Sequence, residues 1–174
     1  MDLLVIDCDY KQNKKGEPII RIFGKKVGTS DEGKDIVLHA RGFKPYCYAN
    51  VAWIAEEEVK TALKGYFETI EKVEKYQPIG YQLKPSEMLK IVLFDPKSTP
   101  EVRKILEEMD IQVMEADIPF KNRFMLDIGM SGMSVIQFDE IDKQINNYGL
   151  NVEELYMVDY NEIYVTDKIV NIEY

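Results

Sequence analysis

Two short segments near the middle of the chain constrain its fold more than anything else in it. In AEEEVKTALKGYF the apolar positions Val59, Ala62, Leu63 and Tyr66 fall at i, i+3, i+4 and i+7, one face of a helix. In STPEVRKILEEM, Val102, Ile105, Leu106 and Met109 repeat that spacing. Pro100 sits in the first turn of this second helix, and Ser98 and Glu101 stand at capping-box spacing. Strand-like sequence flanks both: CYANVAW ahead of the first helix, IEKVEKY and LKIVLF between the two, IQVMEA after the second. The order β-α-β-β-α-β over residues 46–117 is that of a split βαβ, or ferredoxin-like, unit. RNA-recognition modules use the same arrangement. The expected fold class is α+β.

The first fifty residues read as strands and turns: LLVIDC, the polar turn KQNKKGEP, IIRIFG, the turn TSDEGKD, then IVLHA. FKPYCYANVAW is extended, because Pro45 pushes Lys44 out of helical space. Further on, DIPFKNRFMLDIG places Phe120, Arg123 and Phe124 on one helical face, ended by Gly129, and SGMS reads as a joint. After it come a helix-like DEIDKQINNYG and three sparse strands, ELYMVDY, EIYVT and KIVNIEY. These are too little for a core of their own. The expected organisation is a domain over 1–134 with residues 135–174 as an acidic extension. Tyrosines at 148, 156, 160, 164 and 174 are at odds with a purely solvated tail.

Composition narrows the function classes. An apolar content of 45% indicates a globular chain. Cys8 and Cys47 offer neither a disulfide framework nor metal-ligand spacing, as in a reducing, cytosolic compartment. No signal segment or membrane-length apolar run is present, and His39 is the single histidine. The net charge of −9 argues against broad phosphate binding, yet it is unevenly placed. Residues 1–50 carry nine Lys/Arg and seven Asp/Glu, whereas residues 135–174 carry two and nine. Lys11, Lys14, Lys15, Lys25 and Lys26 cluster at the front, either as solvated hairpin tips or as phosphate contacts.

Asp7 and Asp9 lie at i and i+2 on the first strand, so their side chains share a face. That would suit a two-carboxylate Mg²⁺ site in a small phosphotransferase. Such an enzyme needs further carboxylates at later strand ends and a base or nucleophile. The later acids fall on helix surfaces or in turns, so the pair reads as the polar end of a strand. There is no phosphate-binding glycine loop and no nucleophile elbow. Tyr10, Pro45, Tyr46, Phe120 and Arg123, by contrast, come from distant segments, each at the end of an expected element. Flat side chains so placed can line a slot for a base, with Arg123 available for a phosphate.

Read together, these segments resemble the N-terminal domain of archaeal family B DNA polymerases. DCDY followed by EPIIRIFG is similar to that family's opening strand, turn and second strand. FKPYCYA, YQLKPSEMLKIVLFDPKSTPEVR and EADIPFKNRFMLDIG resemble its later blocks, in order, from about residue 4 to 133. The resemblance implies contact with single-stranded template and capture of a deaminated base, uracil or hypoxanthine. It implies a pocket of Tyr10, Pro45, Tyr46, Pro85, Met88, Ile118, Phe120 and Arg123, with Lys11, Lys14, Lys15 and Arg123 on phosphate. Met88 stands where the family commonly has valine, a longer side chain that either fills the slot or yields to thymine's methyl. No polymerase or exonuclease motif falls in this chain. The implied Mg²⁺ and both activities belong to the full-length enzyme, this segment needing no cofactor. The implied partners are template DNA and the enzyme's exonuclease and polymerase domains, in a monomer in the archaeal cytoplasm and nucleoid. The rival readings are a docking module without a base pocket and the Asp7/Asp9 phosphotransferase.

Overall fold

The computed structural model describes residues 1–76, 86–139, 143–144 and 154–166. They form two compact units, one of residues 1–43 and 121–174, the other of residues 44–120. The architecture is mixed α+β, mostly strands in two sheets.

The second unit has the expected order: β4 (Tyr46–Asn50), α1 (Glu56–Ala62), β5 (Phe67–Tyr76), β6 (Ser86–Leu93), α2 (Thr99–Glu108) and β7 (Gln112–Met114). Its sheet runs β5-β6-β4-β7, antiparallel throughout, which is the ferredoxin-like strand order. Period-two alternation sends Cys47, Ala49, Leu89, Ile91, Leu93 and Val113 to the face covered by α1 and α2. There they meet Val59 and Leu63 of the first helix and Val102 and Leu106 of the second, the residues picked out by helical spacing. The other face gathers a smaller cluster, Tyr48, Met88 and Met114, with Tyr46 and Val73 packed on it.

One local expectation fails here. Ser98 makes no side-chain cap bond, and its backbone is already helical (φ −79°, ψ −13°). A 3-10 turn at Pro96–Ser98 precedes α2. Its N-cap is Asp95, whose carboxylate accepts the Lys97 N–H at 2.9 Å. Asp95 lies in extended backbone, where a capping side chain can reach forward, and Ser98 does not.

The first unit is a seven-stranded sheet. Its strands are β1 (Asp2–Gln12), β2 (Pro18–Val27), β3 (Asp35–Arg41), β8 (Val135–Gln137), β9 (Lys143–Gln144), β10 (Glu154–Asp159) and β11 (Tyr164–Thr166). Their order is β11-β8-β1-β2-β3-β10-β9. β10 pairs parallel with β3, and the other pairs are antiparallel. Helix α3 (Phe120–Ile128) buries Phe120, Arg123 and Phe124 as the spacing predicts, and ends at Gly129 in left-handed backbone (φ 73°). Phe43 meets the Phe124 ring edge-on at 5.3 Å.

The structure draws the domain boundary differently from the expected break at 134/135. SGMS is a tight turn fastened to β1, with Met133 N–H donating to Val5 C=O and Val5 N–H to Ser134 C=O. Strands β8, β10 and β11 are then part of the same sheet as β1 to β3. Tyr156 is buried there, edge-on to Phe138. Within the expected helix DEIDKQINNYG, Lys143–Gln144 is instead a strand pairing with β10, and most of the rest lies outside the described residues. The expected strand KIVNIEY lies outside them as well.

Candidate nucleic-acid interface

Asp7 and Asp9 are both engaged by their own neighbours. The Asp7 carboxylate accepts the Cys8 N–H at 2.8 Å, at a bulge between Val5 and Asp7. Asp9 faces Arg21 across the β1–β2 ladder and takes two parallel guanidinium bonds, each 2.6 Å. That fork-to-fork geometry occupies both carboxylate oxygens. Among the described residues no three His, Cys, Asp or Glu side chains converge as a metal site. Burial holds the thiols in their protonated form: Cys47 is pushed up to about 12 and Cys8 is raised.

The expected base-pocket residues divide between the units. In the second unit, Pro45 is buried and its C=O accepts the Leu93 N–H at 2.8 Å, at the end of the β4–β6 ladder. Tyr46 follows on β4, half-buried, its ring edge-on to Tyr48 with centroids 5.8 Å apart. The Lys90 ammonium lies 4.3 Å from the Tyr46 ring centroid, so one face of that ring already carries a cation. Met88 is fully buried, packed among Tyr48, Met114, Tyr46 and Val73. Ile118 is half-buried in the turn after β7, and Phe120 is buried at the start of α3. Pro85 lies outside the described residues.

In the first unit, Tyr10 is half-buried on β1, opposite Ile20. Arg123, expected as an available phosphate contact, is only 5% exposed. Its Nε lies 3.3 Å from the Asp127 carboxylate one turn along α3. A guanidinium in that setting acts in the packing of its helix before it can act on a ligand.

The lysines are arranged differently. Lys11 is at the end of β1, and Lys14 and Lys15 lie in the turn to β2, both exposed. Asn13 organises this turn: its side-chain oxygen accepts the N–H groups of Lys15 and Glu17, each at 2.9 Å. Gly16, at φ 80°, completes it. The three lysines line a concavity of about 630 Å³ together with Gln12, Asn13, Glu17, Ile19, His39, Arg41 and Met157.

His39 was the functional candidate that sequence reasoning passed over. Strand register places it across from Arg21 on one side and Met157 on the other, with Asp9 one strand further. It is 2% exposed, and its Nε2 has no hydrogen-bond partner among the described residues. Burial first, then the charges of Lys11 and Arg21, bring its pKa down to about 4, so the ring is neutral at pH 7. The signal was period-two alternation: Asp9 and Lys11, Arg21, His39 and Arg41 are the same-side residues of three successive strands.

No protein-family model matches the chain. The DNA polymerase 1 of Pyrococcus abyssi is 33% identical over 159 residues, 88% of this chain and 19% of that protein. The DNA polymerase of Thermococcus kodakarensis is also 33% identical over 159 residues, 88% of this chain and 9% of its own length. The chain thus spans less than a fifth of the length of these relatives. The structure of the family B DNA polymerase from the hyperthermophilic archaeon Pyrobaculum calidifontis superimposes with a TM-score of 0.71 at 26% identity. That match covers 99% of this chain and 21% of that one. Along most of its length, the chain is homologous to the N-terminal region of archaeal family B DNA polymerases.

Proposed function

We propose that this region contacts single-stranded template within a family B DNA polymerase and performs no chemistry itself. The observation that carries the reading is the 33% identity to archaeal DNA polymerases over 88% of the chain. Nucleotidyl transfer, 3′–5′ exonuclease action and the Mg²⁺ they use would belong to other regions of such an enzyme, which are also the partners of this one. Among the described residues no helix is long and apolar enough to cross a membrane, consistent with work on DNA in the cytoplasm.

The finer reading is that the template is inspected for deaminated bases. The residues proposed to meet such a base are Tyr10, Pro45, Tyr46, Pro85, Met88, Ile118, Phe120 and Arg123. A base in single-stranded DNA is cheap to turn out of its stack. Uracil differs from thymine by one methyl, which a rigid wall can reject by roughly 1–3 kcal/mol.

One observation favours a second reading, docking without base capture. Met88 is fully buried among Tyr48 and Met114, so the side chain that would form the pocket wall already occupies core space. Fluorescence anisotropy at low salt, with strands differing in a single central uracil or thymine, separates the readings. Tighter binding of the uracil strand supports base inspection, and Met88→Val should then widen the gap. Equal binding leaves template contact alone. Binding of neither strand leaves the docking reading.

A further inference from the structure

The concavity beside the β1–β2 turn has more structure than a solvated hairpin tip needs. Three lysines, Lys11, Lys14 and Lys15, line it beside one carboxylate, Glu17, in a chain of net charge −9; the fourth cation of the lining is Arg41. Cations that close together repel, and a surface selected only for solubility would intersperse carboxylates among them. The adjacent charges are internally matched: Asp9 holds Arg21, and Asp159 holds Arg41 through a 2.6 Å bond.

Two further features point to a ligand. The turn is fixed by the Asn13 side chain and by backbone bonds from Asn13 N–H to Glu17 C=O and from Gly16 N–H to Asn13 C=O, so Lys14 and Lys15 leave from set positions. His39, 2% exposed in the wall of the same concavity, keeps Nε2 without a partner among the described residues. A buried polar atom left so calls for one. A neutral imidazole protonated at Nε2 donates to an oxygen anion and adds no repulsion to the lysines around it.

We propose that this concavity seats a backbone phosphate of the single strand, held by Lys11, Lys14 and Lys15 over the imidazole of His39. The inference rests on the template-contact reading and adds to it a defined site outside the base-pocket residues. The ligand chemistry is that of a phosphate oxygen, so a strand and a free nucleotide must be told apart.

The chain's single histidine makes the test direct. In an isotope-labelled sample of the full chain at pH 7, one set of imidazole signals reports on the site. It is titrated with a thymidine strand on the order of 12 nucleotides, with its uncharged methylphosphonate analogue, and with deoxythymidine triphosphate. Anisotropy on the same strand reads binding independently.

The expected result is a saturable movement of the His39 signals with the charged strand and none with the uncharged one. The Lys14→Gln/Lys15→Gln double variant should bind with a log–log salt slope lower by about 0.7, one single-strand phosphate contact. Strand binding with still His39 signals and an unchanged slope overturns this site while template contact stands. Movement with the triphosphate but not the strand reassigns the site to a free nucleotide and overturns the backbone assignment. Absence of strand binding by anisotropy overturns template contact, and this assignment with it.

Discussion

The two units build their sheets from different material. In the second, every strand and helix comes from one continuous run of 77 residues, Lys44–Phe120, and the core is apolar on the helix-covered face. In the first, the sheet is finished by strands far down the chain: Arg41 on β3 meets Asp159 on β10 across 118 residues. One of its faces also carries a row of charge, Asp9, Arg21 and the neutral His39, where the second unit carries Cys47, Leu89 and Ile91. The sheet of the second unit is held by apolar area, which is indifferent to pH. That of the first unit adds polar groups whose protonation matters.

The units also carry separate natural probes. Trp53, the one tryptophan, is in the second unit, its Nε1–H donating to Val73 C=O at 3.3 Å. His39 is in the first. The largest effect should come from Leu106→Ala, because Leu106 is fully buried between α2 and the sheet. A urea titration followed at Trp53 should show a loss of about 3 kcal/mol, within the usual range for such truncations. A loss under about 1 kcal/mol would mean that α2 contributes little to that core, and the contrast between the units would fail.

Acid should act on the first unit. Above pH 6.5 His39 is neutral folded or unfolded; between 6.5 and about 4 the unfolded chain takes up a proton that the folded one refuses. Stability therefore falls as pH falls through that window, by on the order of 2–3 kcal/mol at its lower end. The carboxylates with lowered pKa, Asp31 and Glu56, begin to lose their contribution only below their ordinary values of 3.8 and 4.5. Lys34 and Lys60, both raised, lose theirs only in alkali above 10.5. His39→Gln should flatten the profile between pH 6.5 and 4, measured by denaturant midpoints. An unchanged slope would show that the ring is not shielded as its burial indicates.

Gly24→Ala probes the first unit by shape. A Cβ there would lie 2.3 Å from the Leu4 carbonyl oxygen and 2.9 Å from Leu3 Cγ, so backbone must move. About 2 kcal/mol should be lost, with amide exchange rising first in β1 and β2. Rising exchange confined to the second unit would contradict that assignment.

What could be read from the sequence follows the same division. Val59, Leu63, Val102 and Leu106 were legible because helical spacing is a local property and their neighbours in the sheet are a few elements away. β10 was legible as a strand in ELYMVDY but not as a member of this sheet, because its parallel partner β3 cannot be inferred from either segment alone. The candidate interface residues were legible in part, Tyr46 and the lysines among them, but not His39, whose surroundings exist only once three strands are in register. Met88 shows the reverse case: the residue was noticed, and only packing reveals that it belongs to a core cluster.

The smallest effect tests how far local reading reaches within the well-read unit. The spacing of Ser98 and Glu101 points to a capping box, yet the capping carboxylate is Asp95, one 3-10 turn earlier. Asp95→Ala removes the acceptor of the Lys97 N–H at a partly exposed site and should cost about 1 kcal/mol. Ser98→Ala removes a hydroxyl that makes no cap bond and should change stability by no more than about 0.5 kcal/mol. The two variants, compared by urea midpoint at Trp53, differ only in which residue starts the helix. If Ser98→Ala proves the costlier, α2 begins in solution as its sequence spacing suggests, and the 3-10 turn at Pro96–Ser98 is not its entry.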